Sequence, residues 1–269
     1  MSVKIATATG AHWNPWMGCH KIRIGPQGGC LHCYMFREMH KFHPAWNPNK
    51  VRRGKTTFDA PLRMKQRQLI FTPSWSDFFI YESDKWRSEA WDIIRRSPDH
   101  VFRICTKRIN RVTYQPATQT WKHLPEDWCT NGKNGYSNVW LGITIEHGKY
   151  VGDMATLRHI PCKLRWISAE PLLGPLPNLN LKGFEFLVAG GESGPHPRST
   201  PPANLDWFRD LRDQCKKAGV YFLLKQLGGS KKCTCHRKKN PTAPNTPFHE
   251  GAFGCRVLDG QVHDEIPPW

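Results

Sequence analysis

Three cysteines stand close together near the start of the chain. Cys19, Cys30 and Cys33 lie in "CHKIRIGPQGGCLHCY", a C-x10-C-x2-C spacing. A structural zinc ion takes four protein ligands, and the next cysteine in the chain is Cys105. Three thiolates with one place left over suit an iron–sulfur cluster with one iron open to a substrate or cofactor, whereas four-thiolate clusters serve electron transfer. Radical chemistry with S-adenosylmethionine uses such an open iron. Gly25, Pro26, Gly28 and Gly29 supply the turns with which a loop wraps a cluster.

A second group follows near the other end. "KKCTCHRKK" holds Cys233, Cys235 and His236, and His249 and Cys255 come after it. Short Cys/His tracts bind metal. Cys233, Cys235, Cys255 and one of the two histidines would satisfy zinc. An auxiliary iron–sulfur cluster is the rival, and a basic loop with incidental thiols is the plain alternative. Lys231, Lys232, Arg237, Lys238 and Lys239 suit contacts to phosphates.

These residues need a frame. Six short, almost continuously apolar runs read as strands covered on both faces: 68–72, 100–106, 139–144, 163–168, 184–190 and 220–225. A seventh is expected near 11–17. Residues 83–96 place Trp86, Ala90, Ile93 and Ile94 on one helical face, with Ser83 or Asp84 as the cap. Residues 204–219 open at Asn204, align Phe208, Leu211, Cys215 and Ala218, and stop at Gly219. Strands alternating with helices predict right-handed βα units. The expected fold is a single α/β domain over 1–269, a full or partial (β/α) TIM-like barrel. A basic, Cys/His-containing insertion spans 230–255, and 112–138 is another irregular excursion. An open, doubly wound sheet is the alternative.

In both architectures ligands bind at the carboxyl ends of the strands, and each expected strand ends in polar residues. Ser76 and Asp77 follow the first of the six runs, and Thr106 and Lys107 the second. Thr144 and Glu146 follow the third, Ser168 and Glu170 the fourth, Glu192 the fifth, and Lys225 and Gln226 the sixth. Taken singly, caps and turns explain most of them. Taken together they form one ring round one mouth. Lys107, Glu146, Glu170 and Glu192 are the candidate catalytic groups. Tyr34, beside Cys33, joins Ser76, Asp77, Thr106, Thr144, Ser168, Lys225 and Gln226 as candidate cofactor-binding residues. Gly190 and Gly191 would let a ligand approach the backbone closely.

Composition points to a partner. The formal net charge is +17 and the pI about 9.6. That imbalance favours a polyanion, DNA or a nucleotide-bearing substrate, over mere solubility. "MSVKIATATGAHWNPW" has no apolar core of a secretory signal, and no run nears the roughly 20 apolar residues of a membrane span. A cytoplasmic protein is expected, in which ten cysteines are not a disulfide framework.

The blocks "HWNPWMGC", "GGCLHCYM", "SWSDFF", "ICTKR", "VWLGITIE", "LRWISAEPLLGPL", "LVAGGESGPHPR", "FLLKQLGG" and "RVLDGQVHDEIP", in this order, resemble a phage-borne radical-SAM-like family, the three-Cys-motif partner type. The resemblance covers most of residues 12–267. It implies a radical-SAM barrel, a [4Fe–4S] cluster on Cys19, Cys30 and Cys33, S-adenosylmethionine at the open iron, and an electron donor such as flavodoxin or ferredoxin. It also implies a 5′-deoxyadenosyl radical that takes a hydrogen atom from the substrate. Two features depart from the superfamily pattern. Its first cysteine gap is three residues, against ten here, which leaves His20 and His32 as substitutes for Cys19. Its GGE motif follows the second strand, whereas "GGE" here comes late, so Glu192 is not assigned the methionine-amine role. The resulting expectation is an isomerase- or lyase-type enzyme that modifies or rearranges a nucleobase substituent in phage DNA, in the infected cell's cytoplasm. The alternatives are DNA repair of the photoproduct-lyase kind, a radical enzyme on a free nucleotide or metabolite, and a non-enzymatic cluster protein that binds nucleic acid.

Overall fold

The computed structural model describes residues 10–132, 134–192, 203–229 and 256–269, with the backbone pairing of 231–232 and 252–253. Cys233, Cys235, His236, His249 and Cys255 lie outside the described residues.

Seven parallel strands form one curled sheet. They are β1 (Ala11–His12), β2 (Leu69–Thr72), β3 (Val101–Thr106), β4 (Val139–Thr144), β5 (Leu164–Ala169), β6 (Phe186–Gly190) and β7 (Tyr221–Gln226). Their spatial order is their chain order. A doubly wound sheet reverses direction at a switch point, and this one does not. Among the described residues β7 does not pair back to β1, so the sheet is a half-barrel rather than a closed one.

Alternation along each strand sorts the side chains onto two faces. Ile70, Phe102, Ile104, Leu141, Ile143, Ile167, Leu187 and Leu224 point outward and share one core with the helices α2 (Asp84–Arg95), α3 (Asp153–His159) and α4 (Leu205–Ala218). Leu69, Val101, Trp140, Leu164, Trp166, Phe186, Val188 and Leu223 point inward as a second, smaller core. That inner core fills the base of the half-barrel much as side-chain layers fill a closed barrel. Trp166 lies where a Cβ on Gly142 would stand, 2.4 Å away, so glycine is required at 142. The chain's end finishes the base. Leu224 N donates to His263 O, Ile266 joins the inner core, and Arg67, just before β2, stacks on Trp269.

The helix ends follow local chemistry. Asn204 accepts from Asp206 N, and Gly219 takes the left-handed conformation (φ 68°) that ends α4. Cys215 is fully buried on that helix's inner face. Ser83 behaves differently from the expected cap: its hydroxyl donates to Ile80 O within a preceding 3-10 turn. The excursion at 112–138 is a short hairpin, Tyr114–Gln115 against Thr120–Trp121, and a 3-10 turn. No helix among the described residues is long and apolar enough to cross a membrane.

One polar network ties this excursion to α2. The Arg87 guanidinium donates to Phe78 O, Ile80 O and the ring nitrogen Nδ1 of His123, and Trp91 Nε1 donates to His123 O. Burial and then the Arg87 charge hold His123 down at about 4, with Asp84 opposing. Below the ordinary value near 6.5 the unfolded chain takes up a proton that the native chain refuses until about pH 4. Stability therefore falls as pH drops through that window. Allowing for partial exposure, the expected loss is about 2 kcal/mol. Urea unfolding at pH 7 and pH 4.5 should show that loss in the parent and little of it in His123→Gln. The same pH dependence in both proteins would contradict this role.

Candidate active site at the mouth of the half-barrel

A cavity of about 730 Å³ opens at the carboxyl ends of the strands. Its wall on one side is the loop 18–33 and the start of α1 (Tyr34–Phe42). Gly18 begins the loop with φ 101°, and a Cβ there would sit 2.6 Å from Lys50 O. Cys19 N donates to Pro48 O, and Cys30 N to Arg23 O. Cys33 is the residue before the first turn of α1. Cys19, Cys30 and Cys33 all line the cavity.

Arg23 is the loop's anchor. It is 6% exposed, and its Nη1 donates to Thr144 O (2.8 Å) and to Glu146 Oε2 (2.5 Å). Its Nη2 pairs with Asp153 on α3, and its plane lies 4.0 Å from the centre of the Tyr150 ring. The other oxygen of Glu146 accepts from Gly29 N. A Cβ on Gly29 would meet Pro171 and Glu146, so the loop lies flat on the strand ends only because residue 29 has no side chain. Glu146 is fully buried and forms no part of the cavity wall. Its place is beneath the loop that carries the cysteines.

Asp77 is a second hub. Its carboxylate accepts from Phe79 N, Thr106 Oγ1 and Lys107 N, and pairs with Arg108 at 3.2 Å. Thr106 is buried in this hub and does not reach the cavity. Arg108 then points Nη1 at Cys19 Sγ (3.7 Å) and donates to His20 O. Ser76 ties the same loop, donating to Gly18 O, and Tyr34 donates to Ser74 O.

The thiols are electrostatic neighbours. Burial pushes Cys19 up to about 12, with Arg108 opposing and Asp77 and Cys33 adding to the rise. Burial raises Cys33 too, and Cys30 adds to it. Burial alone would lower Lys107, but Glu146 and the sulfurs of Cys30 and Cys105 hold it above its ordinary value. Burial thus favours the protonated thiols of Cys19 and Cys33, with Arg108 opposing at the first and Lys107 at the second. Among the described residues no three His, Cys, Asp or Glu side chains gather round a single point as ligands of one ion.

The facing wall comes from β5 to β7. Ser168 Oγ donates to Glu170, and Lys225 Nζ pairs with the other oxygen of Glu170 at 2.6 Å. Gln226 Nε2 donates to Gly191 O. Burial raises Glu192, against the pull of His32 and Arg37. The glycines at 190 and 191 serve packing: a Cβ on Gly190 would press on Glu170, and one on Gly191 would meet Leu227 O at 2.1 Å.

Tyr34, Ser76, Asp77, Lys107, Thr144, Ser168, Glu170, Glu192, Lys225 and Gln226 therefore share one cavity with the three cysteines. Four wall residues carried no sequence signal of their own. His12 ends β1, lowered by burial and by Lys225 and Arg103. Arg103 lies on the floor between the rings of Phe71 and Trp166, each 6.0 Å away, where burial lowers it to about 10. Cys105, one position before Thr106, turns inward and shares a 3.4 Å contact with Thr144 Oγ1. Trp75 closes the side nearest α1. Period-two alternation along β3, with Phe102 and Ile104 in the outer core, is the signal that would have found Arg103 and Cys105 on the inner face.

Fold and site define an α/β half-barrel protein whose mouth gathers thiols and basic side chains. Within that class, the chain belongs to the family described as "Protein of unknown function (DUF5131)", which it matches over residues 4–267. No curated protein and no solved structure matches it.

Proposed function

We propose that this protein is a radical S-adenosylmethionine enzyme that modifies or rearranges a substituent on a nucleobase, of the kind phages use to hypermodify their DNA. One observation carries the reading: Cys19, Cys30 and Cys33 meet at a single cavity at the carboxyl ends of a parallel half-barrel. The donor set fits a cubane cluster better than a single ion. A cubane takes one thiolate per iron, so its ligands stand apart from one another. A loop pressed flat by Gly29, and the cations of Lys107 and Arg108 beside the sulfurs, suit such a group.

Cys19, Cys30 and Cys33 would hold the cluster, which when bound would supply the one electron that splits S-adenosylmethionine into methionine and a 5′-deoxyadenosyl radical, with flavodoxin or ferredoxin as the expected donor. The chain does the rest. Arg23 and Glu146 fix the cysteine loop on the strand ends. Asp77 aims Arg108 at Cys19. Ser168, Glu170, Lys225 and Gln226 offer donors and acceptors to the cofactor and substrate, and the aromatic floor excludes water. The net charge of +17 fits a polymer substrate.

The test is anaerobic. Reconstituted protein, S-adenosylmethionine and dithionite should release 5′-deoxyadenosine, and more of it when phage DNA carrying a modified base is added. No 5′-deoxyadenosine under any of these conditions would overturn the reading. A second reading has its own observation: Cys105 lines the same cavity. A fourth thiolate would close the cluster and leave a non-enzymatic nucleic-acid-binding protein. Loss of the cluster in Cys105→Ala would favour it.

A further inference from the structure

Residues 39–58 hold no Asp or Glu, yet carry Lys41, Lys50, Arg52, Arg53 and Lys55 with His40 and His43. Other acid-free runs reach the cavity, but in 100–125 Arg108 and Arg111 are already paired with Asp77 and Asp84. It is also bound to the cavity wall. Cys19 N donates to Pro48 O, and Trp16–Met17 pairs with Arg52–Arg53 in a short antiparallel ladder. The segment packs on itself: His43 stacks on Trp46 with ring centres 4.1 Å apart, and Arg52 covers Trp46 from 5.2 Å. Among the described residues no carboxylate pairs with Lys41, Lys50 or Lys55, all exposed. Aromatic faces lead inward. Phe42 is 57% exposed, Tyr34 is 44% exposed, and Tyr34 and Trp75 line the cavity itself.

We propose that α1 and the acid-free segment 39–58 form the track on which a single DNA strand lies as it delivers one base to the cavity. Lysines following a backbone and rings receiving unpaired bases are the two components of single-strand binding. Chemistry on a base requires it outside the stack, which favours a single strand over an intact duplex. The basic face of α4 lacks the pattern. Helix α4 carries Lys216 and Lys217 but mixes them with Asp206, Asp210 and Asp213. The proposal rests on the nucleobase reading above and names where the polymer lies.

Fluorescence anisotropy with a labelled single-stranded oligodeoxynucleotide tests it, on the full chain and without reductant or S-adenosylmethionine. The triple variant Lys41→Glu, Lys50→Glu, Lys55→Glu should bind at least about tenfold more weakly. The slope of log affinity against log salt should fall by about 2. A control with the same change in net charge, Lys182→Glu, Lys216→Glu, Lys217→Glu, should lose less than about threefold. Equal losses in both variants, no loss in the first, or tighter parent binding to duplex than to single strand would each overturn the track. All six positions are exposed lysines, and circular dichroism of both variants checks that the fold is kept. Release of 5′-deoxyadenosine is measured separately. Its absence with the binding pattern intact strikes the radical reading alone, and its presence with the binding pattern lost strikes the track alone.

Discussion

Cys30→Ala, and equally Cys19→Ala or Cys33→Ala, should give folded protein that fails to hold an iron–sulfur cluster after anaerobic reconstitution. Release of 5′-deoxyadenosine should fall by at least about a thousandfold, because groups that act as one unit fail together. The three sulfurs share a cavity, where Cys33 adds to the raised pKa of Cys19 and Cys30 to that of Cys33. On the proposed reading, loss of any one would leave an iron without its protein ligand. The contrast lies with the other cysteines. Cys105 has Lys107, Glu170 and Asp77 as its electrostatic neighbours. Cys162 and Cys215 are buried in the outer core. Cys105→Ala and Cys215→Ala should keep the cluster, and Cys215→Ala should cost only about 1 kcal/mol of stability. Iron and sulfide analysis with the visible absorption of the reconstituted proteins decides it. Full cluster content in Cys30→Ala would contradict the assignment.

The second large effect is structural. Arg23→Met should destabilise the protein by about 3–5 kcal/mol, since it leaves a fully buried Glu146 carboxylate without its counter-charge. Asp153 loses a partner as well, and Glu146, which accepts from Gly29 N, keeps only the field of Lys107 as a counter-charge. The double variant Arg23→Met, Glu146→Leu should recover a good part of the loss, because an apolar pair replaces a buried ionic one at little net cost. Urea unfolding of the four corners of that cycle measures the coupling. Cluster content should drop in Arg23→Met beyond what stability explains, because the Arg23 backbone carbonyl also receives Cys30 N. An Arg23→Met protein within about 1 kcal/mol of the parent would show that the loop is held by something else.

Much of this was legible in the sequence for a simple reason. Parallel strands covered on both faces read as continuous apolar runs, and the run at 100–106 differs from Val101–Thr106 by one residue. The polar residues after such runs had to face one mouth, and most do. Helix α1 escaped because its first turn follows a cysteine rather than a capping Ser, Asp or Asn, and α3 because seven residues span barely two turns. The roles within the ring depend on contacts far apart in the chain. Arg23 and Glu146 are 123 residues apart, and nothing local marks them as partners. Nor does local pattern show that Asp77 bonds Thr106 and Arg108 while also reaching the cavity.

The thiol wall and the basic track belong to one arrangement. The loop that carries Cys19 is bonded to the acid-free segment on one side, and through Arg23 to the strand ends on the other. A polymer held on the track would therefore lie beside the cysteines, with Tyr34 and Trp75 between them.

Low-temperature EPR of the anaerobically reduced protein, with and without S-adenosylmethionine, tests the central claim most directly. The expected result is a [4Fe–4S]⁺ signal that changes shape when S-adenosylmethionine is added, which places the cofactor at an open iron. A cluster signal indifferent to S-adenosylmethionine, or no cluster signal at all, would contradict the radical reading.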